Sequence, residues 1–199
     1  MSEVIEKPSV LLVIGNLASE SSTAKVASRV GALLQEQGCQ VDTFDAATEA
    51  LPLFNVQTAF SSEVYPALKQ RVSAADVLVM ATPDYHGSMS SATKNFLDHF
   101  WKEYAGKLFT SIVGSYEKGL TVHDQLRTVA RQCYAWSLPY GVSFHEKADL
   151  TEDGIGDDLE KRLRMLAGDI VRYGALLASQ RKSDLNSEVE GFLAHYRSK

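Results

Sequence analysis

Apolar residues in this chain form short continuous runs that alternate with stretches of helical spacing. Aliphatic and β-branched runs occur at residues 10–14, 75–81 and 108–113, a pattern typical of strands buried on both faces. Residues 40–45 alternate apolar and polar positions, which predicts a strand nearer the edge of a sheet. A last short strand is predicted at residues 140–144.

Between and after these strands, apolar residues recur every three or four positions, as they do on one face of a helix. The predicted helices cover residues 22–38 with Gly38 as the cap, 65–73, 88–101, 119–134 and about 158–179. Residues 46–62 lack a clean period and contain Pro52, so we expect a connecting loop there. Residues 153–157 predict a turn-rich break, and the polar tail from residue 180 is predicted to be a short helix or frayed.

Strands and helices alternate along the chain without an internal repeat or a linker, which predicts one doubly wound α/β domain with helices on both faces of a parallel sheet. We expect this domain to span residues 1–199, with its core at about 9–179 and a C-terminal tail at about 180–199. Right-handed crossovers place the switch point of the strand order near the first and third strands.

Composition narrows the class of protein and its partners. The chain has 199 residues, 20 basic and 25 acidic, and its net charge of -5 argues against a nucleic-acid partner. Cys39 and Cys133 lie far apart without ligand spacing, so a reduced intracellular setting is expected. The sequence contains neither a signal peptide nor a long apolar run, which predicts a cytoplasmic protein without a membrane partner.

Three loops follow the apolar runs: residues 15–23 (the first loop), 82–88 (the second loop) and 114–119 (the third loop). In a parallel sheet such loops gather at the carboxyl edge, where ligands bind at the switch point. The first loop is rich in hydrogen-bonding side chains at a helix N-terminus, which suits a phosphate. Its candidate phosphate contacts are Asn16, Ser21, Ser22 and Thr23. Taken alone, the serines are equally well explained if Ser21 or Ser22 is only an N-cap.

The second loop suits a flat ring. Pro83 fixes the backbone as the strand ends, Gly87 permits close approach or a positive φ, and Tyr85 and His86 offer ring surfaces and donors. Asp84 completes the candidate contacts of this loop. The alternative for His86 is an ordinary histidine in a surface turn.

The third loop resembles a phosphate-binding Gly-x4-Gly-Lys-Thr pattern through Gly114, Gly119 and Thr121. Leu120 occupies the lysine position, so we reject a nucleotide triphosphatase. We expect this loop to border the ring, with Ser115, Tyr116 and Gly119 as contacts. The three loops together predict one site for flavin mononucleotide (FMN).

Other chemistries have weaker support in the sequence. A Gly-x-Gly-x-x-Gly fingerprint does not follow the first strand, and the histidines lack metal-ligand spacing, so a Rossmann dinucleotide domain and a metal site are not predicted. Residues 141–145 lack the second glycine of a nucleophile elbow. We predict no catalytic side chain, because the redox chemistry of a flavin site belongs to the cofactor itself.

Two segments resemble a known family. Residues 82–88, Thr-Pro-Asp-Tyr-His-Gly-Ser, and 94–98, Lys-Asn-Phe-Leu-Asp, are similar to the Thr-Pro-Glu-Tyr-Asn-Gly-Ser loop and Lys-Asn-x-x-Asp helix of NADPH-dependent FMN reductases. The first loop resembles that family's Gly-Ser-x-Arg-x-x-Ser-x-Asn phosphate loop. The likeness covers roughly the first 145 residues.

The first loop departs from the family pattern at two positions. Asn16 stands where serine is common, and Ala18 stands where the family usually has arginine. Loss of a charge-assisted contact costs roughly 1.5–3 kcal/mol. We therefore expect FMN affinity to be weakened about tenfold or more.

The resemblance implies a flavodoxin-like three-layer α/β/α fold with a five-stranded parallel sheet in the order 2-1-3-4-5. It also implies an FMN cofactor and hydride transfer from NADPH or NADH in a ping-pong cycle. The small-molecule acceptor would be a quinone, free flavin, azo compound or metal oxyanion. Family members are commonly homodimers or homotetramers, and the aromatic rows of the 88–101 helix could supply that surface.

Two alternatives remain open from the sequence. One is a flavodoxin-type electron carrier that binds FMN without turning over pyridine nucleotides. The other is a scaffold or regulator that kept the fold and lost the flavin, an alternative that Ala18 supports.

Overall fold

The computed structural model describes residues 6–152 and 154–197, which form a parallel sheet between two layers of helices. The strands are β1 (Ser9–Ile14), β2 (Gln40–Asp45), β3 (Val77–Tyr85), β4 (Ser88–Met89), β5 (Leu108–Gly114), β6 (Trp136–Ser137), β7 (Val142–Phe144), β8 (Leu150–Thr151) and β9 (Gly154–Ile155). The helices are α1 (Ser22–Glu36), α2 (Tyr65–Ala74), α3 (Ser91–Asp98), α4 (Leu120–Gln132), α5 (Glu146–Asp149) and α6 (Asp157–Leu185). Short 3₁₀ helices lie at Ala59–Ser61, Lys102–Tyr104 and Phe192–Tyr196.

The sheet runs β2-β1-β3-β5, and both β6 and β7 pair with the free side of β5. The order predicted from the sequence is therefore confirmed, with its fifth strand divided in two. Pro139 lies in the interruption between the two pieces and has no N–H for a ladder. Gly141 also lies there, and its backbone passes so close to β5 that a Cβ would come within 2.5 Å of the Ser111 Oγ. The switch point falls between β1 and β3, as predicted.

Two apolar cores cover the two faces of the sheet. On one face, α1 and α6 pack on alternate residues of β1, β3 and β5. On the other face, α2, α3 and α4 do the same with the intervening residues. Phe96 and Phe100 are buried in this second core, so these two rings of the aromatic rows are not available as an association surface. Trp101 is 66% exposed and lies beyond the end of the helix.

The second loop is more regular than predicted. β3 does not end at Thr82, because Thr82 and Pro83 continue its register with Val113 and Gly114 of β5. The chain then turns back as β4, and the helix predicted from Ser88 begins only at Ser91. Ser90 is the N-cap, and its Oγ accepts from the Thr93 N–H at 3.1 Å.

Boundaries in the C-terminal third also differ from the prediction. The last strand is shorter than residues 140–144, since only Val142–Phe144 pairs with β5. The turn-rich break includes a two-stranded hairpin of β8 and β9, although Asp153 lies outside the described residues. α6 continues past residue 179 to Leu185, where Arg181 Nε donates to the Ala105 carbonyl at 2.8 Å. Among the described residues, every helix is too short or too polar to cross a bilayer.

Lys107 is buried at the amino edge of the sheet, opposite the three loops. Its ammonium group donates to the carbonyls of Val72 and Ser73 at the C-terminal end of α2, the latter at 2.8 Å. Burial, followed by the nearby Arg181 charge, lowers the pKa of Lys107 from its ordinary 10.5 to about 7. The fold therefore holds a lysine whose charge is disfavoured by its surroundings.

We predict that this lysine makes stability depend on pH. The unfolded chain binds up to one more proton than the folded chain between about pH 7 and 10.5, so the free energy of unfolding should rise with pH there. The contribution has a slope of at most about 1.4 kcal/mol per pH unit. The free energy of unfolding, measured with urea at several pH values across this range, should rise less steeply with pH for Lys107→Met than for the wild type. Equal slopes in the two proteins would contradict the lowered pKa.

Candidate functional site

The three loops leave the sheet at one edge because their strands are in register. Ile14, Ala81 and Ile112 are aligned across β1, β3 and β5. One step further along, the Gly15 N–H donates to the Ala81 carbonyl at 2.8 Å. The expectation that the loops gather at the carboxyl edge is therefore confirmed by the strand register.

The first loop begins in close contact with α3. A Cβ on Gly15 would lie 1.8 Å from the Thr93 Oγ1, so a larger residue has no room there. The Ser90 hydroxyl donates to the Gly15 carbonyl from the same helix start. These contacts explain why glycine ends β1 and fix the direction in which the loop departs.

The four predicted phosphate residues have different environments. Asn16 is buried, its Oδ1 accepts from the Ala18 N–H at 3.0 Å, and its Nδ2 lies 3.5 Å from the Oγ1 of the buried Thr23. Ser21 is the N-cap of α1, because its Oγ accepts from the Ala24 N–H at 3.1 Å. The N-cap explanation therefore holds for Ser21, although its hydroxyl proton can still donate.

The N-terminal turn of α1 retains hydrogen-bond donors for an anion. The N–H groups of Ser22 and Thr23 occupy the first helical positions, which have no intrahelical acceptor. The Ser22 Oγ also lies 3.4 Å from the Glu146 Oε2, so a carboxylate borders this terminus. Residues 15–24 contain no lysine or arginine. A phosphate here would be held by dipoles and hydroxyls.

The second loop is a β-hairpin with a two-residue turn. His86 and Gly87 have φ angles of 57° and 77°, as a type I′ turn requires at both central positions. This geometry explains the glycine, and it places His86 in an exposed turn. Tyr85 is also exposed, whereas Pro83 is buried within β3.

Asp84 connects the second loop to the third. Its Oδ1 accepts from the Gly87 N–H at 2.8 Å, and its Oδ2 accepts from the Ser115 hydroxyl at 2.9 Å. Ser115 also donates its N–H to the Phe144 carbonyl at 2.9 Å. Both carboxylate oxygens of Asp84 therefore have protein donors, and these bonds hold the two loops together.

The third loop ends at a glycine that no other residue could easily replace. Gly119 is the N-cap of α4 with a φ of 59°, and a Cβ there would lie 2.7 Å from the Val113 Cγ1. Tyr116 is 82% exposed, and its ring contacts that of His145 edge-on at a centroid distance of 5.3 Å.

A cavity of about 750 Å³ lies between the second and third loops, a size in the range of known small-molecule sites. We call it the loop cavity. Six of the twelve predicted contacts line it: Asp84, His86, Gly87, Ser115, Tyr116 and Gly119. The four first-loop contacts, with Pro83 and Tyr85, lie outside its lining, and Leu17 of the first loop borders a separate cavity of about 710 Å³.

Sequence reasoning missed Gln125 of α4, which holds the hairpin. Its Oε1 accepts from the Ser88 hydroxyl at 3.1 Å and the Met89 N–H at 3.2 Å, and its Nε2 donates to the Gly87 carbonyl at 3.2 Å. Its only signal in the sequence is a polar residue within the apolar stripe that contains Val122 and Leu126.

His123, like the other histidines, lacks metal-ligand spacing, and it is buried beside a cavity of about 310 Å³ that Ser111 and Ser143 also line. Its Nδ1 lies 2.7 Å from the Ser111 Oγ, and its Nε2 lies 2.9 Å from the Ser143 Oγ. Burial lowers the pKa of His123, so the neutral ring is favoured. Among the described residues there is no group of three His, Cys, Asp or Glu side chains that could hold a metal ion.

The sequence profile of the NADPH-dependent FMN reductases matches residues 8–149. The chain belongs to this family. The resemblance seen in the loop sequences is thereby confirmed, and the matched region contains all three loops and β1 to β7.

Individual relatives of this family member are distant. An FMN-dependent NADPH-azoreductase of Staphylococcus aureus (strain USA300) is 27% identical over 177 residues, which cover 82% of this chain and 93% of the relative. Among solved structures, the flavoenzyme NAD(P)H:(acceptor) oxidoreductase FerB from Paracoccus denitrificans has a TM-score of 0.69 at 19% identity, covering 87% of this chain and 98% of FerB.

A second structure is of a protein in complex with FMN. The FMN-dependent NADH-azoreductase from Bacillus anthracis has a TM-score of 0.64 at 12% identity, and the match covers 82% of this chain and 99% of that protein. These likenesses establish the flavodoxin-like fold.

We predict that Gln125→Ala loosens the hairpin. It removes three hydrogen bonds, each worth about 0.5–1.5 kcal/mol, so the free energy of unfolding in urea should fall by about 1.5–4.5 kcal/mol. The control is Thr128→Ala on the same helix, whose exposed hydroxyl bonds only to the Asp124 carbonyl and whose loss should cost less than about 0.5 kcal/mol. Equal losses in the two variants would refute the role of Gln125.

Proposed function

We propose that this chain is an FMN-dependent NAD(P)H oxidoreductase that passes electrons through bound flavin to a small acceptor. The acceptor would be a quinone, free flavin, azo compound or metal oxyanion. The observation that carries this proposal is the loop cavity, which lies at the carboxyl edge of the sheet, between the loops that follow β3 and β5, in a member of the NADPH-dependent FMN reductase family. The azoreductase relative supports the same class of reaction.

The proposed cofactor contacts divide between two regions. Asn16, Ser21, Ser22 and Thr23 would bind the phosphate at the N-terminus of α1, where the Ser22 and Thr23 amides are free of intrahelical bonds. The ring would occupy the loop cavity, bordered by Asp84, His86, Gly87, Ser115, Tyr116 and Gly119. Pro83 and Tyr85 would complete the ring contacts. The glycines and the short polar side chains of these loops fit a planar nucleotide.

When bound, FMN supplies the hydride chemistry, so the chain needs neither a general acid nor a nucleophile. The protein would orient the ring by packing it against the second and third loops, which hydrogen bonds hold in place. Asp84 fixes the second loop to Ser115, and Gln125 fixes the hairpin to α4. The His86 amide is outside the hairpin ladder and can donate to an acceptor atom of the ring. Tyr116, exposed at the mouth of the loop cavity, would limit access by water and substrates.

Further features of the protein follow from the same proposal. NADPH is the expected donor from the family name, with NADH as the alternative. We propose a single domain that works in the cytoplasm as a homodimer or homotetramer. Because Phe96 and Phe100 are buried, these two rings would not contribute to the association surface.

The direct test is an absorbance titration of the purified protein with FMN, followed by NADPH without oxygen. We expect saturable FMN binding and then bleaching of the yellow colour by NADPH. Binding without bleaching would indicate a flavodoxin-type carrier instead. A protein that takes up no FMN would favour a flavin-free scaffold and overturn the proposal.

The phosphate loop provides a second test. We predict that Ala18→Arg restores a charge-assisted phosphate contact and tightens FMN binding about tenfold or more. Riboflavin, which lacks the phosphate, should bind wild type and variant equally. Glu146→Gln, which removes the carboxylate near Ser22, should also tighten FMN binding but not riboflavin binding. A gain for both ligands, or for neither, would place the phosphate elsewhere.

A further inference from the structure

A chain of hydrogen bonds runs from the centre of β5 to the third loop. It begins at Ser111, passes through His123 of α4 and Ser143 of β7, and ends at the carbonyl of Lys118. Ser111 is 7% exposed and His123 is 8% exposed, so this series of hydrogen bonds lies inside the protein until it reaches the third loop. Nothing in the flavin chemistry described above uses these side chains.

The direction of every proton in this chain is determined by its last member. The Lys118 carbonyl can only accept, so the Ser143 hydroxyl donates to it. The Ser143 oxygen then accepts from Nε2–H of His123 at 2.9 Å. The Nδ1 of a neutral ring must consequently accept, and the Ser111 hydroxyl donates to it at 2.7 Å. All four groups are satisfied by a single arrangement with a neutral histidine.

A serine paired with a histidine could also indicate a nucleophile, but His123 lacks the carboxylate partner of a catalytic triad, because its other nitrogen faces the Ser143 hydroxyl. A Cβ on Gly141 would lie 2.5 Å from the Ser111 Oγ and 2.5 Å from both the Nδ1 and the Cε1 of His123. The Gly141 backbone therefore packs tightly against the pair on one side, and the Ser111 hydroxyl is only 7% exposed at the wall of a cavity of about 310 Å³. The geometry favours a structural task over acyl transfer.

The other contacts of Ser143 and of the third loop show what this task is. Arg162 of α6 donates to the Ser143 carbonyl and forms an ion pair with Asp149 at 2.8 Å. These contacts attach β7 to α6. The third loop is bonded at its start through Ser115 and near its end through Lys118. Residues 116–118, which follow Ser115 and include Lys118, are exposed, so these hydrogen bonds are what attach this part of the loop to the protein.

We propose that His123 is a positioning residue of the flavin site. It orients the Ser143 hydroxyl toward the Lys118 carbonyl and thereby holds the third loop against the loop cavity. Without the His123 imidazole, no N–H group donates to the Ser143 oxygen, and the Ser143 hydroxyl is free to rotate away from the Lys118 carbonyl. The part of this inference that concerns flavin rests on the proposed function, whereas the anchoring of the loop does not.

The test compares three variants with a matched control. His123→Leu keeps the bulk of the side chain and removes both hydrogen bonds, while Ser143→Ala removes the last bond to Lys118 with little change in volume. His123→Gln retains one donor and one acceptor at the end of a similar side chain. Leu126→Ala is the control, because Leu126 is buried on the same helix but is not part of the chain of hydrogen bonds.

The first measurement is hydrogen exchange of the peptide that contains residues 114–120, in protein without FMN. We expect exchange to accelerate about tenfold in His123→Leu and Ser143→Ala, as loss of about one hydrogen bond would produce. His123→Gln should stay near the wild type. Leu126→Ala should lower the urea midpoint of unfolding while leaving this peptide unchanged. The wild-type pattern in His123→Leu and Ser143→Ala would overturn the inference, as would equal acceleration in Leu126→Ala.

The second measurement is the Kd for FMN and the rate of reduction by NADPH at saturating FMN. We expect His123→Leu and Ser143→Ala to raise the Kd about tenfold, with rescue in His123→Gln. If wild type fails to bind FMN, the flavin function is wrong, and the exchange data still decide whether His123 anchors the loop. If FMN binds equally to all variants, the loop is anchored for a purpose other than flavin binding.

Discussion

The backbone register of β1, β3 and β5 is the constraint on which the candidate site depends. Parallel hydrogen bonding aligns Ile14, Ala81 and Ile112, so the three strands end at the same level and their loops meet. Close packing then fixes the exit of each loop. Gly15 contacts Thr93, and Gly119 contacts Val113, at distances that leave no room for a larger residue. The sheet thus determines where a ligand can bind before any side chain contributes a hydrogen bond.

Side chains provide the next level of order by joining the loops to one another and to α4. Asp84 bonds both the turn of its own hairpin and Ser115, while Gln125 bonds the hairpin from the helix. Several polar side chains that look like ligand contacts in the sequence therefore form hydrogen bonds with other groups of the protein. A rigid wall of this kind suits a cofactor that carries the chemistry itself, because orientation is then the main task of the protein.

The strands and their order could be predicted because runs such as residues 10–14 and 108–113 depend only on burial and local pattern. The hairpin at Tyr85 and Ser88 was missed because its strands are too short to show a period, although His86-Gly87 suits a type I′ turn. The roles of Gln125 and His123 arise from contacts between segments distant in the sequence, and the position of Gln125 within an apolar stripe does not show which residues it contacts. Ser21 could not be assigned, because an N-cap and a phosphate donor require the same residue type.

The composition of the first loop has a consequence for how an anionic nucleotide reaches the protein. A net charge of -5 and the carboxylate of Glu146 repel such a molecule at long range, whereas the amides at the start of α1 attract it only on contact. Dissolved salt screens the distant repulsion and leaves the short contacts nearly intact. Capture should therefore be helped by physiological ionic strength, the opposite of the behaviour of a site built from arginine.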